Sequence, residues 1–190
     1  MKKFATTILA IVIASATTAF TVPVEEKTVN TETSTITWKG YKVTGSHEGT
    51  VQLESGKLEF DGDQLTGGAF TVAMSTLIST DLTGEYKGKL EGHLKSDDFF
   101  GVEKFPTATL EFTEVKATGK NAYEVTANMT IKGQTHPVTF DMSVYGSKAT
   151  ANLKIDRTKY DIRYGSGSFF DNLGDKTIYD EFDLVADLEF

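Results

Sequence analysis

From Tyr123 to Lys132 the chain alternates without a break. Tyr123, Val125, Ala127, Met129 and Ile131 are apolar, and Glu124, Thr126, Asn128, Thr130 and Lys132 between them are polar. Side chains of an extended strand point to opposite faces in turn, so this run predicts a strand with one dry face. Val138, Phe140, Met142 and Val144 repeat the pattern, with Pro137 placed just before the run. Ala149, Ala151, Leu153 and Ile155 form a third set, Leu110 and Phe112 a fourth, and Phe182, Leu184, Ala186, Leu188 and Phe190 a fifth. The first half carries shorter pieces of the same kind: Ile36 with Trp38, Tyr41 with Val43, Val51 with Leu53, Leu58 with Phe60, and Phe70 with Val72 and Met74. Gly40 sits where the parity changes, as a bulge requires. Turn residues such as Asp61-Gly62-Asp63 and Tyr145-Gly146-Ser147 punctuate the series. About eight closely spaced strands predict an all-β antiparallel meander, closed as a barrel or stacked as a sandwich. One segment breaks the rhythm: Tyr86, Leu90 and Leu94 share a helical stripe, which predicts a short helix packed on one end of the sheet. Tyr164 to Lys176 reads as a long loop or a further short helix.

The opening residues are an address. Lys2 and Lys3 precede an apolar run from Phe4 to Ala14, and Ala14-Ser15-Ala16 is a small-residue cleavage site, with Ala19 as a later option. The run is shorter than the roughly 20 residues that span a bilayer. We therefore expect a signal peptide over 1–16, a short tether over 17–33, and one domain over 34–190. The expected compartment is the periplasm or the exterior. With no cysteine in the chain, a lipidated N-terminal Cys and disulfides are both excluded. Removing Lys2 and Lys3 takes the formal charge from −8 to −10. So acidic a domain argues against nucleic acid as a partner and against electrostatic docking on anionic lipid. No stable membrane insertion is expected, and a homodimer is compatible with the composition.

Chemistry-bearing motifs are scarce. His47, His93 and His136 are not spaced as a local metal pair, and Gly165-Ser166-Gly167-Ser168 has the wrong spacing for a nucleophile elbow. Asp97-Asp98 alternate in direction on an extended chain and read best as a helix terminus. No catalytic residue, metal ligand or cofactor is assigned. Inward faces carrying Ala108, Ala127, Ala149 and Ala151 beside Phe and Met either interdigitate as a filled core or leave an apolar cavity. A cavity of that kind suits a long, flexible, apolar ligand, because each buried CH₂ contributes about 0.8 kcal/mol.

Four stretches resemble one family. Ser34-Thr35-Ile36-Thr37-Trp38 looks like the opening strand of the YceI-like proteins, and His47-Glu48-Gly49-Thr50-Val51 resembles their second strand. Gly92-His93-Leu94-Lys95-Ser96-Asp97-Asp98-Phe99-Phe100 with Phe105-Pro106 is similar to their most distinctive segment, and Met129 to Val138 to a later strand and turn. Two positions depart from the pattern: Gly101 where many members carry Asp, and His136 where Lys or Arg is usual.

The resemblance implies a closed, lipocalin-like antiparallel barrel of about eight strands with one or two short helices. It also implies a bound polyisoprenoid or related amphiphile. On that implication the lumen is lined by Trp38, Phe70, Val72 and Met74, then Leu90, His93, Phe99 and Phe100. Leu110, Phe112, Val125, Ala127, Met129, Phe140, Met142 and Leu153 complete the expected wall. The function expected is an exported, non-catalytic binding protein for a polyisoprenoid, an isoprenoid quinone or a fatty-chain lipid. Two alternatives stay open. One is an enzyme drawing on His47 and His93 with Asp97 or Asp98; the other is a filled-core interaction barrel.

Overall fold

The computed structural model describes residues 24–190; the leader expected at 1–16 and the first part of the tether lie outside the described residues. Nine strands and one helix follow in order. They are β1 (Glu25–Thr28), β2 (Thr35–Lys42), β3 (Gly45–Asp61), β4 (Gln64–Ser79), α1 (Gly84–Lys95), β5 (Thr107–Ala117), β6 (Ala122–Ile131), β7 (Gln134–Tyr145), β8 (Lys148–Asp156) and β9 (Ile178–Glu189). Single 3-10 turns occupy Arg157–Tyr160 and Gly174–Lys176. All neighbouring strands pair antiparallel in the order β1-β3-β2-β9-β8-β7-β6-β5-β4, and β3 pairs with β4 to close the ring. Strands β2 to β9 thus form an eight-stranded closed barrel, as the family resemblance implied, and the sandwich is excluded.

The alternation becomes burial directly. In β6 the positions 123, 125, 127, 129 and 131 are buried, and in β8 so are 149, 151, 153 and 155. Gly40 marks the expected irregularity, since the β2–β9 register shifts between Gly40 and Lys42. Pro137 lies inside β7, opposite Asn128, and not before the strand. It is accommodated because the β7–β8 ladder has already ended at Asp141↔Asn152, leaving that edge without a partner that needs its N–H.

Strand β1 is the other departure, because the tether was expected to reach residue 33. Glu25–Thr28 instead pairs with Lys57–Phe60 on the β3 edge beyond the point where β2 stops. Val29, 3% exposed, is buried, and its N–H donates to the Gly56 carbonyl at 2.8 Å. Lys27 lies over the rings of Phe60 and Phe190, which are 5.7 Å apart. A local excess of polar residues had concealed a segment held by one buried valine and a cation over two rings.

Strands β3 and β4 cross tightly at Gly49. A Cβ there would meet the Ile78 carbonyl oxygen at 1.9 Å and Trp38 Cζ2 at 2.7 Å. The Trp38 indole uses that gap to donate to the same carbonyl at 3.2 Å. Gly40 has open space instead. Gly49→Ala is expected to lower unfolding free energy by about 2–4 kcal/mol, because backbone must move. Gly40→Ala should stay within about 1 kcal/mol of the parent. Urea denaturation of the three proteins checks both.

Candidate functional site

The β3–β4 ladder runs Gly49↔Ser79, Thr50↔Ile78 and then Gln52↔Ala73, so β4 carries surplus residues at Met74–Leu77. Thr76 satisfies part of the backbone this bulge frees. Thr76 Oγ1 accepts the Gln52 N–H at 2.9 Å and donates to the Ala73 carbonyl at 2.6 Å. The bulge also anchors α1: Lys95 Nζ donates to the Ser75 carbonyl at 2.8 Å, and Glu91 accepts the Ser79 N–H at 2.9 Å. Met74 and Leu77 turn inward, and α1 lays Leu90, His93 and Leu94 across the same end of the barrel. Only the C-terminal half of the expected helical stripe packs, since Tyr86 is 75% exposed.

After α1 the chain folds back under itself. Ser96 Oγ donates to the His93 carbonyl, and the Phe100 N–H donates to the Leu94 carbonyl at 3.1 Å. Gly101 closes this turn in the left-handed region at φ 58°, where a bare α-carbon is favoured. Phe99 and Phe100 are thereby directed to the lumen, while Phe105 packs on Gly133. Lys132 Nζ donates to the Asp97 and Asp161 carbonyls and so ties two mouth loops to the β6–β7 turn.

Inside lies one elongated cavity of about 220 Å³ with almost wholly apolar walls. It runs from Lys42 and Glu181 at the α1 end to Ile36, Phe70 and Leu188. The seven residues of β2 from Ile36 to Lys42 cover that length, roughly 20 Å of strand and about 15 Å along the axis after tilt. A filled core is therefore not what the alternation encodes. Val72, Ala108, Leu110, Phe112, Phe182, Leu184 and Ala186 sit on the inward face yet are only partly buried, because the space they face is this lumen.

Fourteen of the sixteen residues expected on the wall line it: Trp38, Phe70, Val72, Met74, Leu90, His93, Phe99, Phe100, Leu110, Phe112, Met129, Phe140, Met142 and Leu153. Val125 and Ala127 do not. Both are fully buried, Val125 opposite Phe140 and Val115, and Ala127 opposite Phe112 and Val138. The Phe112 and Phe140 rings, 5.9 Å apart, fill the barrel there. The reading missed β9, whose Phe182, Leu184, Ala186 and Leu188 form a whole side of the wall. It also missed Arg157, which is 2% exposed. Its guanidinium donates to the carbonyls of Tyr179 at 3.0 Å, Ile162 at 2.7 Å and Ile178 at 2.9 Å, with Asp180 at 3.6 Å. Burial pushes that group's pKa down while Asp180 and Asp156 oppose the shift. Parity was the available signal, since Arg157 continues the inward series 149, 151, 153, 155.

The residues of the enzyme alternative are not gathered into one constellation. His47 Nδ1 lies 2.8 Å from Asp81 Oδ2, and Ser79 Oγ donates to Asp81 Oδ1 at 2.7 Å. The carboxylate stands between hydroxyl and imidazole, so the serine is not activated by the ring. Asp97 and Asp98 are exposed, and Asp97 pairs with Lys104. No group of three metal-ligating side chains occurs among the described residues.

Comparison with known proteins agrees with this architecture. The YceI-like domain model matches residues 28–190, and the chain belongs to that family. A UPF0312 protein of Pseudomonas aeruginosa is 44% identical over 69 residues, 36% of each chain; the match thus spans about a third of that curated relative's length. Among solved structures, Burkholderia cenocepacia BcnA superposes with a TM-score of 0.66 at 21% identity, covering 84% of this chain and 98% of that one. A polyisoprenoid binding domain from Saccharophagus degradans gives 0.56 at 12% identity, covering 85% and 95%. At these identities the two structures share the fold.

Burial pushes the Asp81 carboxyl up, but hydrogen bonds from Ser79 and His47 outweigh it and hold it below its ordinary 3.8. A carboxylate depressed in the folded state stabilises at pH values above its unfolded pKa, and that contribution is lost as pH falls through the folded value. Asp81→Asn is expected to cost about 1 kcal/mol at neutral pH. It should also flatten the loss of stability below about pH 4, as read by thermal melts across pH.

Proposed function

We propose that this protein is an exported, non-catalytic carrier that holds one long apolar chain in its lumen: a polyisoprenoid, an isoprenoid quinone or a fatty-chain amphiphile. The observation that carries this reading is the narrow, apolar-walled cavity running along the barrel. A compact ligand does not match a space so long for its volume, and a linear chain does. Burial at about 0.8 kcal/mol per CH₂ lets a dozen carbons offset their ordering cost without a charged anchor. The fold is shared with a domain described as polyisoprenoid binding, which supports the same ligand class. A dry container is what such a chain needs to cross water, and the leader-like start of the sequence supports export.

Native mass spectrometry of the purified protein is expected to show an added mass released by organic solvent, and a fatty alcohol should titrate into stripped protein. Finding neither would overturn the reading. Ala108 lines the lumen and is only partly buried, so Ala108→Phe projects its ring into the cavity. Chain binding should fall about tenfold or more, with stability changed by no more than about 1–2 kcal/mol. Export has its own test. The protein recovered from outside the inner membrane should begin at Thr17, or at Phe20 if the later site is used; an intact Met1 there would count against it.

A further inference from the structure

Three buried polar side-chain atoms among the described residues lack a hydrogen-bond partner: His93 Nε2, Tyr160 Oη and Asp180 Oδ1. Only His93 belongs to the lumen wall. Several other polar groups along that wall are already committed. The Trp38 indole donates to Ile78, the Tyr41 hydroxyl to Asp183 at 2.6 Å, and Arg157 to three carbonyls, while His47 is paired with Asp81. The His93 ring is gripped edge-on by Tyr164 at 4.4 Å and Phe99 at 5.5 Å, which fixes its plane and offers Nε2 no bond. A buried ring nitrogen without a partner, on a side chain that lines an apolar tunnel, is a costly arrangement unless a ligand supplies the bond.

We infer that His93 is the polar anchor of the lumen and that the chain bound there carries one neutral oxygen, a hydroxyl or a carbonyl, seated at Nε2 beneath α1. An imidazole nitrogen donates to a carbonyl or accepts from a hydroxyl according to its tautomer, so one site serves both. Phosphate and carboxylate heads are disfavoured. The buried guanidinium of Arg157 already donates to the carbonyls of Tyr179, Ile162 and Ile178, with its charge faced by Asp180. Lys87 and Lys95 of α1 are directed to the carbonyls of Ser79 and Ser75, and at the mouth the charge of Lys42 is offset by that of Glu181. The head would therefore lie at the α1 end, with the tail running toward Phe70 and Leu188.

This inference rests on the carrier reading, and the test separates the two. Trp38 is the single tryptophan and lines the lumen, so its fluorescence reports occupancy. The probes are dodecane, dodecan-1-ol and dodecyl phosphate, which share one chain. The alcohol is expected to bind roughly tenfold more tightly than either of the others. In His93→Phe the preference for alcohol over dodecane should vanish while dodecane still binds, and in His93→Gln part of it should return. Should the Phe variant not fold, the ¹⁵N resonance of His93 Nε2 in the parent protein is the readout. It should move with dodecan-1-ol and stay put with dodecane. A preference that survives in His93→Phe, a phosphate bound as well as the alcohol, or an unmoved Nε2 resonance would overturn the anchor while leaving the carrier intact. Failure of all three probes to bind the parent would remove the carrier reading as well.

Discussion

Closure of the sheet by β3 against β4 is the constraint on which everything else depends. Without it both strands would be edges, with rows of open N–H and C=O groups inviting other chains. Strand β3 has to satisfy β4 along one side and β2 then β1 along the other, over 17 residues. A strand that long cannot keep one register through the twist of a small barrel. The ladder shifts at three places, and the largest shift places Met74–Leu77 outside the pairing. The bulge that relieves the twist is also what turns Met74 and Leu77 inward and presents carbonyls for α1. Closing the ring and capping its mouth are therefore one event.

The lumen is hollow because of where size falls along the strands. Small residues occupy inward positions at both ends, Gly40 and Ala108 toward the mouth and Ala151 beside Ala186 deeper in, while Phe70, Phe112 and Phe140 crowd one another. Leaving 220 Å³ unfilled is expensive, on the order of 5 kcal/mol at about 24 cal/mol per Å³. A barrel optimised for stability alone would place larger side chains at 108 and 151. The rest of the core carries that cost, with Leu58, Val125, Ile155 and Ile162 almost without exposure.

Much of this could be read from residue order, because a half-buried strand writes its own dry face. Strands β6, β7 and β8, the phase change at Gly40 and the inward parity of the strands follow from period two, while the resemblance supplied the lumen that this face lines. Failures came where a distant partner decides the outcome. Val125 and Ala127 have the right parity, but rings from neighbouring strands fill the barrel beside them. Tyr86 shares a helical stripe with Leu94, yet only the end of α1 that meets the β4 bulge has anything to pack on. Glu25–Thr28 looks like linker because its partner edge lies some thirty residues away on β3. Arg157 has the inward parity and the wrong chemistry, and only the carbonyls that return from Ile162, Ile178 and Tyr179 make its burial tolerable.

Those carbonyls show how an apolar chamber is bounded at an end built from loops. The segment between Arg157 and Ile178 buries little besides Tyr160, Ile162 and Ser166, and Tyr164, Phe169 and Phe170 remain substantially exposed. Apolar packing alone does not hold it. Instead one guanidinium reaches across to both of its ends, and the Lys132 ammonium takes the Asp161 carbonyl. Charge-assisted bonds of this kind are roughly twice as strong as neutral ones, and they use up donors that would otherwise attract water to the lumen. The mouth is thus closed by polar groups that satisfy one another and the tunnel by apolar groups that need no partner. A polar atom belonging to neither set, such as His93 Nε2, is the natural place for specificity to enter.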